Sequence, residues 1–453
     1  MSTRRLGAAP PVAAVLAFGL FAASFLQRFD GLAVPAYDTA FFEQVAWNVA
    51  HGNGWTSGFY PEHFLGLHFE PLLAGPALAQ LVSPDARGLS LIGLAGLNLS
   101  APAAYAFAQE LLVGLNGGRL VAAALAAPLP IWPPMQEAAR AGFHTEYLAL
   151  PLLFLCGWAG LRRRWWLCSA TALAALCAKE DQAYAVAVIG LVIAVAGKSR
   201  RAGVALSLLA LTWGAIVTLA VMPQLRGAAE NEIAAYYAWL GQADAGALAH
   251  ALAAPAGWLA ALAMLACAAG LPLLKAGWLA LALPPLTADL LSRHVPQADL
   301  HLQYGLPLVL PVFLAAVLGA RALLPRLAAA GPLLPLLALP PLLIGLLTGP
   351  LLGARVEAPA SALAQLRACT VRLPAEAAVS ADDYAAAALA ARPVLRPLTY
   401  ARPGDYVLVD GWERPPAHIN AGARRDLLAA LPAQGRARLC DDGRFQLWGP
   451  AGG

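Results

Sequence analysis

The sequence predicts an α-helical polytopic membrane protein that ends in a small C-terminal α/β domain. Three observations carry that prediction. Hydrophobic residues make up 60% of the 453 and charged residues only 12%, against roughly a quarter charged in soluble domains, and the mean hydropathy is +0.63. Apolar runs recur up to residue 350, separated by short arginine-rich clusters. Residues 352–453 lose those long runs and alternate short apolar stretches with helix-like ones. The formal net charge of +4 is spread over the clusters between spans, where it acts as a topology signal. Nucleic acid is therefore not an expected partner; the lipid bilayer is.

Two rules thread the spans: basic residues near helix ends favour the cytoplasm, and a helix needs about 20 residues to cross the hydrocarbon core. Span one runs out from a cytoplasmic Arg4–Arg5 to Gln27, too long for a signal-peptide core, and is retained. Residues 28–70 form a large first external loop. The proline-flanked run 71–84 is too short to cross and is expected to re-enter or lie on the outer face. Spans follow at 88–112, 120–135, 147–161, 165–178, 183–197, 203–222, 254–272, 276–291, 304–320 and 331–350. That makes about 11, with Arg119, the Arg162–Arg164 cluster, residues 198–201, Lys275, Arg321 and Arg326 inside. Arg293–His294 alone falls outside. The composition is that of a bacterial protein, so the expected location is the bacterial inner membrane, N-terminus cytoplasmic.

Residues 1–351 are thus a membrane domain and 352–453 an extracytoplasmic one. In the tail, "AAVSADD" and "DYVLVDG" read as strands, "DYAAAALAA" and "ARRDLLAALPA" as helices, and "ARLCDDGRFQLWG" as a closing hairpin. Cys156, Cys168, Cys177 and Cys267 fall in apolar helices as small core residues. Cys369 and Cys440 lie in the tail, where a disulfide and two free thiols both stay open.

The polar residues that interrupt the apolar runs all fall at the outer ends of spans. They are Asp38, Glu43 and His51; His63, His68 and Glu70; Arg140, His144 and Glu146; Lys179, Glu180 and Asp181; and Arg293, His294, His301 and Tyr304. Ionisable groups at membrane depth are costly and tend to mark sites, so five such clusters on one side point to a polar cavity there. Simpler roles stand beside this one: Trp47, Trp55 and His51 as interfacial anchors, and "KED" as a self-satisfied ion cluster. The histidines and carboxylates also suit zinc or manganese, but the spacing of His63 and His68 does not put two imidazoles on one helix face, and no metal-ligand set is assigned. No nucleophile elbow or phosphate-binding glycine loop occurs.

"YDTAFFEQVAWNVAHGNGW", "HFLGLHFEPLL", "FHTEYLALPLLF", "AKED" and "DYVLVDG" together resemble the bacterial membrane family DUF2079, in order and spacing, over nearly the whole chain. Two departures are visible. The family's His-Phe-x-Pro stands here as His68-Phe69-Glu70-Pro71, and its Asp-Phe-His as Gly142-Phe143-His144, which removes one acid. The family in turn resembles the GT-C glycosyltransferases, which implies a GT-C-like membrane domain with an essential acid in the first external loop, and a polyprenyl-phosphate sugar donor. Asp38 takes that acid's place as the catalytic residue. Glu43, His63, His68, Glu70, Arg140, His144, Glu146, Lys179, Glu180, Asp181, Arg293, His294 and Tyr304 are the expected substrate-binding residues. Arg140, Lys179, Arg293 and His294 are the cations for a departing lipid phosphate. A divalent Mg2+ or Mn2+ is a possible cofactor. The alternatives are a non-catalytic transporter or flippase of lipid-linked glycans, against which the lack of a clear internal repeat counts, and a scaffold whose polar clusters are structural.

Overall fold

The computed structural model describes residues 3–34, 36–60, 62–197, 199–227, 232–326, 328–349, 361–412 and 421–450. The expected domain boundary at 351–352, Lys198 and the last residue of span eleven lie outside the described residues.

The apolar segments become helices, and their lengths follow from where proline interrupts them. Six of the eleven expected spans meet helices long and apolar enough to cross a membrane: Gly7–Asp30, Ala86–Leu111, Arg200–Arg226, Leu271–Leu290, Val295–Arg326, and the pair Ala245–Leu252 and Pro255–Cys267, bent by 41°. Four meet shorter apolar helices, Glu146–Leu161, Trp165–Leu176, Gln182–Ala196 and Leu333–Thr348. At 1.5 Å per residue, the 12 residues of Trp165–Leu176 extend only about 18 Å. The span expected at 120–135 is not one helix. It breaks into Gly118–Ala126, a 3-10 turn at Leu129–Ile131 and Pro133–Ala141, because the prolines of "APLPIWPP" remove donors and clash with the preceding turn. The run Pro71–Leu81 is helical and short, in line with the expectation that it does not cross.

Burial sorts the long helices. Within its most apolar stretch, Val295–Arg326 is 78% buried and Arg200–Arg226 only 11%. The first is apolar all round and sits at the centre; the second is peripheral and presents Leu208, Leu209 and Leu219 outward. Helices Ala86–Leu111 and Glu146–Leu161 pack along each other, as do Gln182–Ala196 and Arg200–Ile216. Small residues permit the second contact: a Cβ on Gly190 would lie 2.7 Å from the Gly203 carbonyl oxygen, the close approach typical of membrane helix pairs.

The tail folds around a five-stranded mixed sheet in the order β2-β1-β3-β5-β4. β1 (Val379–Ala381) pairs in parallel with β2 (Leu395–Pro397) and β3 (Tyr406–Asp410), while β5 (Phe445–Trp448) runs antiparallel to β3 and β4 (Arg438–Asp441). The strands, the helix Ala421–Ala433 and the closing hairpin fall where expected. β2 has no counterpart in the sequence reading: three residues ending in proline leave almost no periodic signal. A disulfide joins Cys369 to Cys440, resolving the open choice between bond and thiols.

This domain is tied to the first-loop helix Ala36–Ala50. Gln44 is fully buried; its Nε2 faces the Arg392 and Pro393 carbonyls at 3.5 and 3.4 Å, and its Oε1 accepts from Gly58 N at 2.8 Å. Asn48 Nδ2 donates to Pro393 O at 3.1 Å and to Thr56 O at 3.0 Å.

Candidate functional site

Asp38 occupies the first turn of helix Ala36–Ala50, near the positive end of its dipole, where a carboxylate is favoured. His144 reaches it from the loop after Pro133–Ala141, Nε2 to Oδ1 3.4 Å. Three contacts aim that imidazole. Buried Arg28 donates to the carbonyls of Arg140 (3.1 Å) and Ala139 (3.4 Å), satisfying the end of Pro133–Ala141. Gly142 then turns the chain at φ 104°, ψ −148°, a conformation open essentially to glycine alone; any Cβ there would run into Thr39 Oγ1. The His144 ring finally packs edge-on to Phe42, centroids 4.9 Å apart. Glycine at position 142 is thus the residue this backbone requires.

Next to this pair lies a cavity of about 520 Å³. Eight of the expected residues line it: His68, Glu70, His144, Glu146, Lys179, Glu180, Asp181 and Tyr304. Four separate segments of sequence meet there. Lys179 Nζ donates to Glu146 Oε2 at 3.1 Å. His68 Nδ1 stands 3.5 Å from Glu180 Oε1, while Glu180 Oε2 accepts from Phe69 N at 2.9 Å. Glu70 sits wholly buried just before the short helix at Pro71, and burial pushes its carboxyl up to about 8, with nearby Lys179 pulling the other way. The floor is apolar, with Leu150, Leu153, Val188, Leu306 and Leu310. Asp38 is within electrostatic reach of Tyr304 and His294, and Lys179 of Tyr304 and Tyr237.

Besides Asp38 at its edge, five expected residues are not part of this lining. Glu43, five positions from Asp38 and so about 140° further round the helix, is fully buried and accepts from Gln80 Nε2 at 3.0 Å. Burial raises its carboxyl well above the usual range. His63 caps the short helix Phe64–Leu67, accepting from Leu65 N. Arg140 turns to Glu137 at 3.7 Å. Arg293 lies over the Trp239 ring at 4.3 Å. His294 stacks on Tyr236, centroids 4.9 Å apart. Of the four cations expected for a phosphate, Lys179 is therefore the one in the lining. The rest of the polar lining, with Tyr184, Tyr236, Tyr237, Asp289, Gln297 and Gln303, was not among the expected residues. Gln297 and Gln303 lie between the residues picked out at 293–304, and Asp289 lies within a largely apolar helix, where an ionisable group is the signal to look for.

Among the described residues no three His, Cys, Asp or Glu side chains converge as metal ligands. Chelation tests the expected Mg2+ or Mn2+.

Fold and cavity together define a polytopic membrane protein with one charged pocket gathered at the ends of its helices. The chain belongs to the DUF2079 family, described as predicted membrane proteins, whose model matches residues 28–426. Two crystal structures of ArnT from Cupriavidus metallidurans, one bound to undecaprenyl phosphate and one in the apo state, share its fold. Both align with a TM-score of 0.53 over 96% of this chain and 97% of theirs, at 13% and 12% sequence identity. The chain thus has the fold of these ArnT structures. No curated protein matches the sequence.

Proposed function

We propose that the protein is a membrane glycosyltransferase that moves a sugar from a polyprenyl-phosphate donor to an acceptor on the outer face of the membrane. The observation that carries this reading is the Asp38–His144 contact at the edge of a cavity with a lysine and an apolar floor. A lipid-linked sugar needs both a polar pocket for its head and an apolar surface for its chain, and the fold is shared with an undecaprenyl phosphate-bound protein. The disulfide in the tail suits the oxidising side of the membrane, which supports an extracytoplasmic C-terminus.

In the proposed reaction the acceptor hydroxyl oxygen attacks the anomeric carbon and its proton passes to the Asp38 carboxylate. The bond from that carbon to the phosphate oxygen breaks, its electron pair staying with the lipid phosphate. Lys179 meets the charge that develops there, in surroundings of low dielectric where a fixed cation counts most. His144 holds Asp38 in place. Glu43 has no part in the step.

The test is sugar transfer by purified full-length protein in nanodiscs, with radiolabelled polyprenyl-phosphate sugars and a chelator arm for Mg2+ and Mn2+. Asp38→Asn should lower turnover by about 10²–10⁴-fold with lipid binding intact. Equal turnover in both proteins would remove Asp38 from the reaction. Absence of turnover by folded wild type across a broad donor panel would favour the transporter or scaffold.

A further inference from the structure

One part of the cavity wall carries polar groups that the reaction above leaves unused. Asp289 Oδ1 accepts from Gln297 Nε2 at 2.9 Å, and the same Nε2 lies 3.0 Å from the Tyr237 hydroxyl. Asp289 Oδ2 and Gln303 Oε1 are buried and have no hydrogen-bond partner, and both residues line the cavity. Unpaired buried acceptors cost about 1–3 kcal/mol each, so a native structure retains them where something supplies the donor. The turn that presents Gln303 is itself strained: Leu300 and Leu302 both sit at φ 57°, a left-handed conformation that costs a leucine about 1–2 kcal/mol. Such strain tends to collect at ligand sites. Tyr236 and Tyr304 flank the wall with aromatic rings, His294 packed between them.

We infer that this wall is the subsite that recognises the sugar, and that the sugar carries free hydroxyls and no negative charge. The two orphaned oxygens accept O–H donors, and the tyrosine rings offer faces for the C–H side of a pyranose. An anionic sugar would meet an acidic lining, with Glu146, Glu180, Asp181 and Asp289, and no cation to spare. Lys179 is the one Lys or Arg among the described lining residues and is assigned to the lipid phosphate, while Arg293 is committed to Trp239. The inference rests on the proposed transferase reading for its lipid-linked ligand.

The experiment is equilibrium binding to the full-length protein in nanodiscs of three probes: undecaprenyl phosphate, the same lipid carrying a neutral hexose, and the same lipid carrying a hexuronate. Wild type should bind the hexose lipid about 10-fold or more tighter than the bare phosphate, the worth of two to three hydrogen bonds. Gln303→Leu, which changes no charge, should remove most of that difference and leave affinity for the bare phosphate unchanged, which also reports that the variant is folded. The hexuronate lipid should bind no tighter than the bare one. Equal binding of bare and hexose lipids by wild type would overturn the inference. So would a variant that weakens both alike, or preference for the hexuronate. Discrimination without transfer to any acceptor would leave the subsite standing and sink the transferase reading; transfer without discrimination would do the reverse.

Discussion

Lys179 and Glu146 offer a prediction in which stability and lipid binding separate. Their 3.1 Å contact, with side chains 14% and 4% exposed, carries a Coulomb attraction of about 5 kcal/mol at an effective dielectric of ~20. Removing both charges from water offsets much of that, so the pair is worth far less than the figure, yet breaking it leaves a buried carboxylate without its cation. Lys179→Met should therefore cost roughly 3–5 kcal/mol. Adding Glu146→Gln removes the stranded charge, and the double variant should return to within about 1–2 kcal/mol of wild type. Denaturant titration of nanodisc protein followed by tryptophan fluorescence measures this, and undecaprenyl phosphate binding is measured on the same samples. Stability should recover in the double variant while lipid phosphate affinity does not, because the cation is gone in both. Full binding by the double variant would refute the role given to Lys179. A double variant no more stable than the single one would refute the account of the pair.

Other outcomes follow from the same geometry. Gly142→Ala forces a side chain into the φ 104° turn beside Thr39; it should cost about 1–3 kcal/mol in stability and cut turnover by displacing His144 from Asp38, read by melting and transfer assays together. Glu70, pushed up to about 8 by burial, is neutral below that pH and charged above it. As pH rises through 8 the cavity gains a negative charge, and affinity for undecaprenyl phosphate should fall about 10-fold, the effect of one charge ~12 Å away at a dielectric of ~20. Glu70→Gln should flatten that limb in a pH series of binding curves. Asn48→Leu strips partners from the Pro393 and Thr56 carbonyls and should cost about 2 kcal/mol, seen as faster proteolysis of the first external loop.

Much of the fold was legible because hydropathy and proline are local signals. Ten of the eleven expected spans meet an apolar helix or a bent helix pair, and the stretches "AAVSADD" and "DYVLVDG" hold strands of the sheet. What stayed hidden was long-range. The break at residues 127–132 was signalled by four prolines but set aside for the apolar run around them. In the site, the histidine and acid clusters were visible because charge stands out against leucine, and six of those residues line one cavity with Lys179 and Tyr304. Their directions were not visible: Glu43 and Asp38 share a helix, but only three-dimensional packing sends the former to Gln80. The rest of the polar lining was missed for a related reason. Tyr236, Gln297 and Gln303 are unremarkable residues in sequence, and a strained turn brings the last of them into the pocket.

The bonds that brace the first-loop helix run from Gln44 and Asn48 to backbone 345–349 positions later in the chain. At 5–20 residues per second, a ribosome needs roughly 17–70 s to travel that distance. Asp38 emerges early and must wait for the end of the polypeptide before its helix is held. A nascent or prematurely terminated chain therefore owns the acid and His144 without the partner that braces the helix of Asp38. Synthesis itself becomes a timer, and the pocket acquires its final shape only in a chain that has been finished.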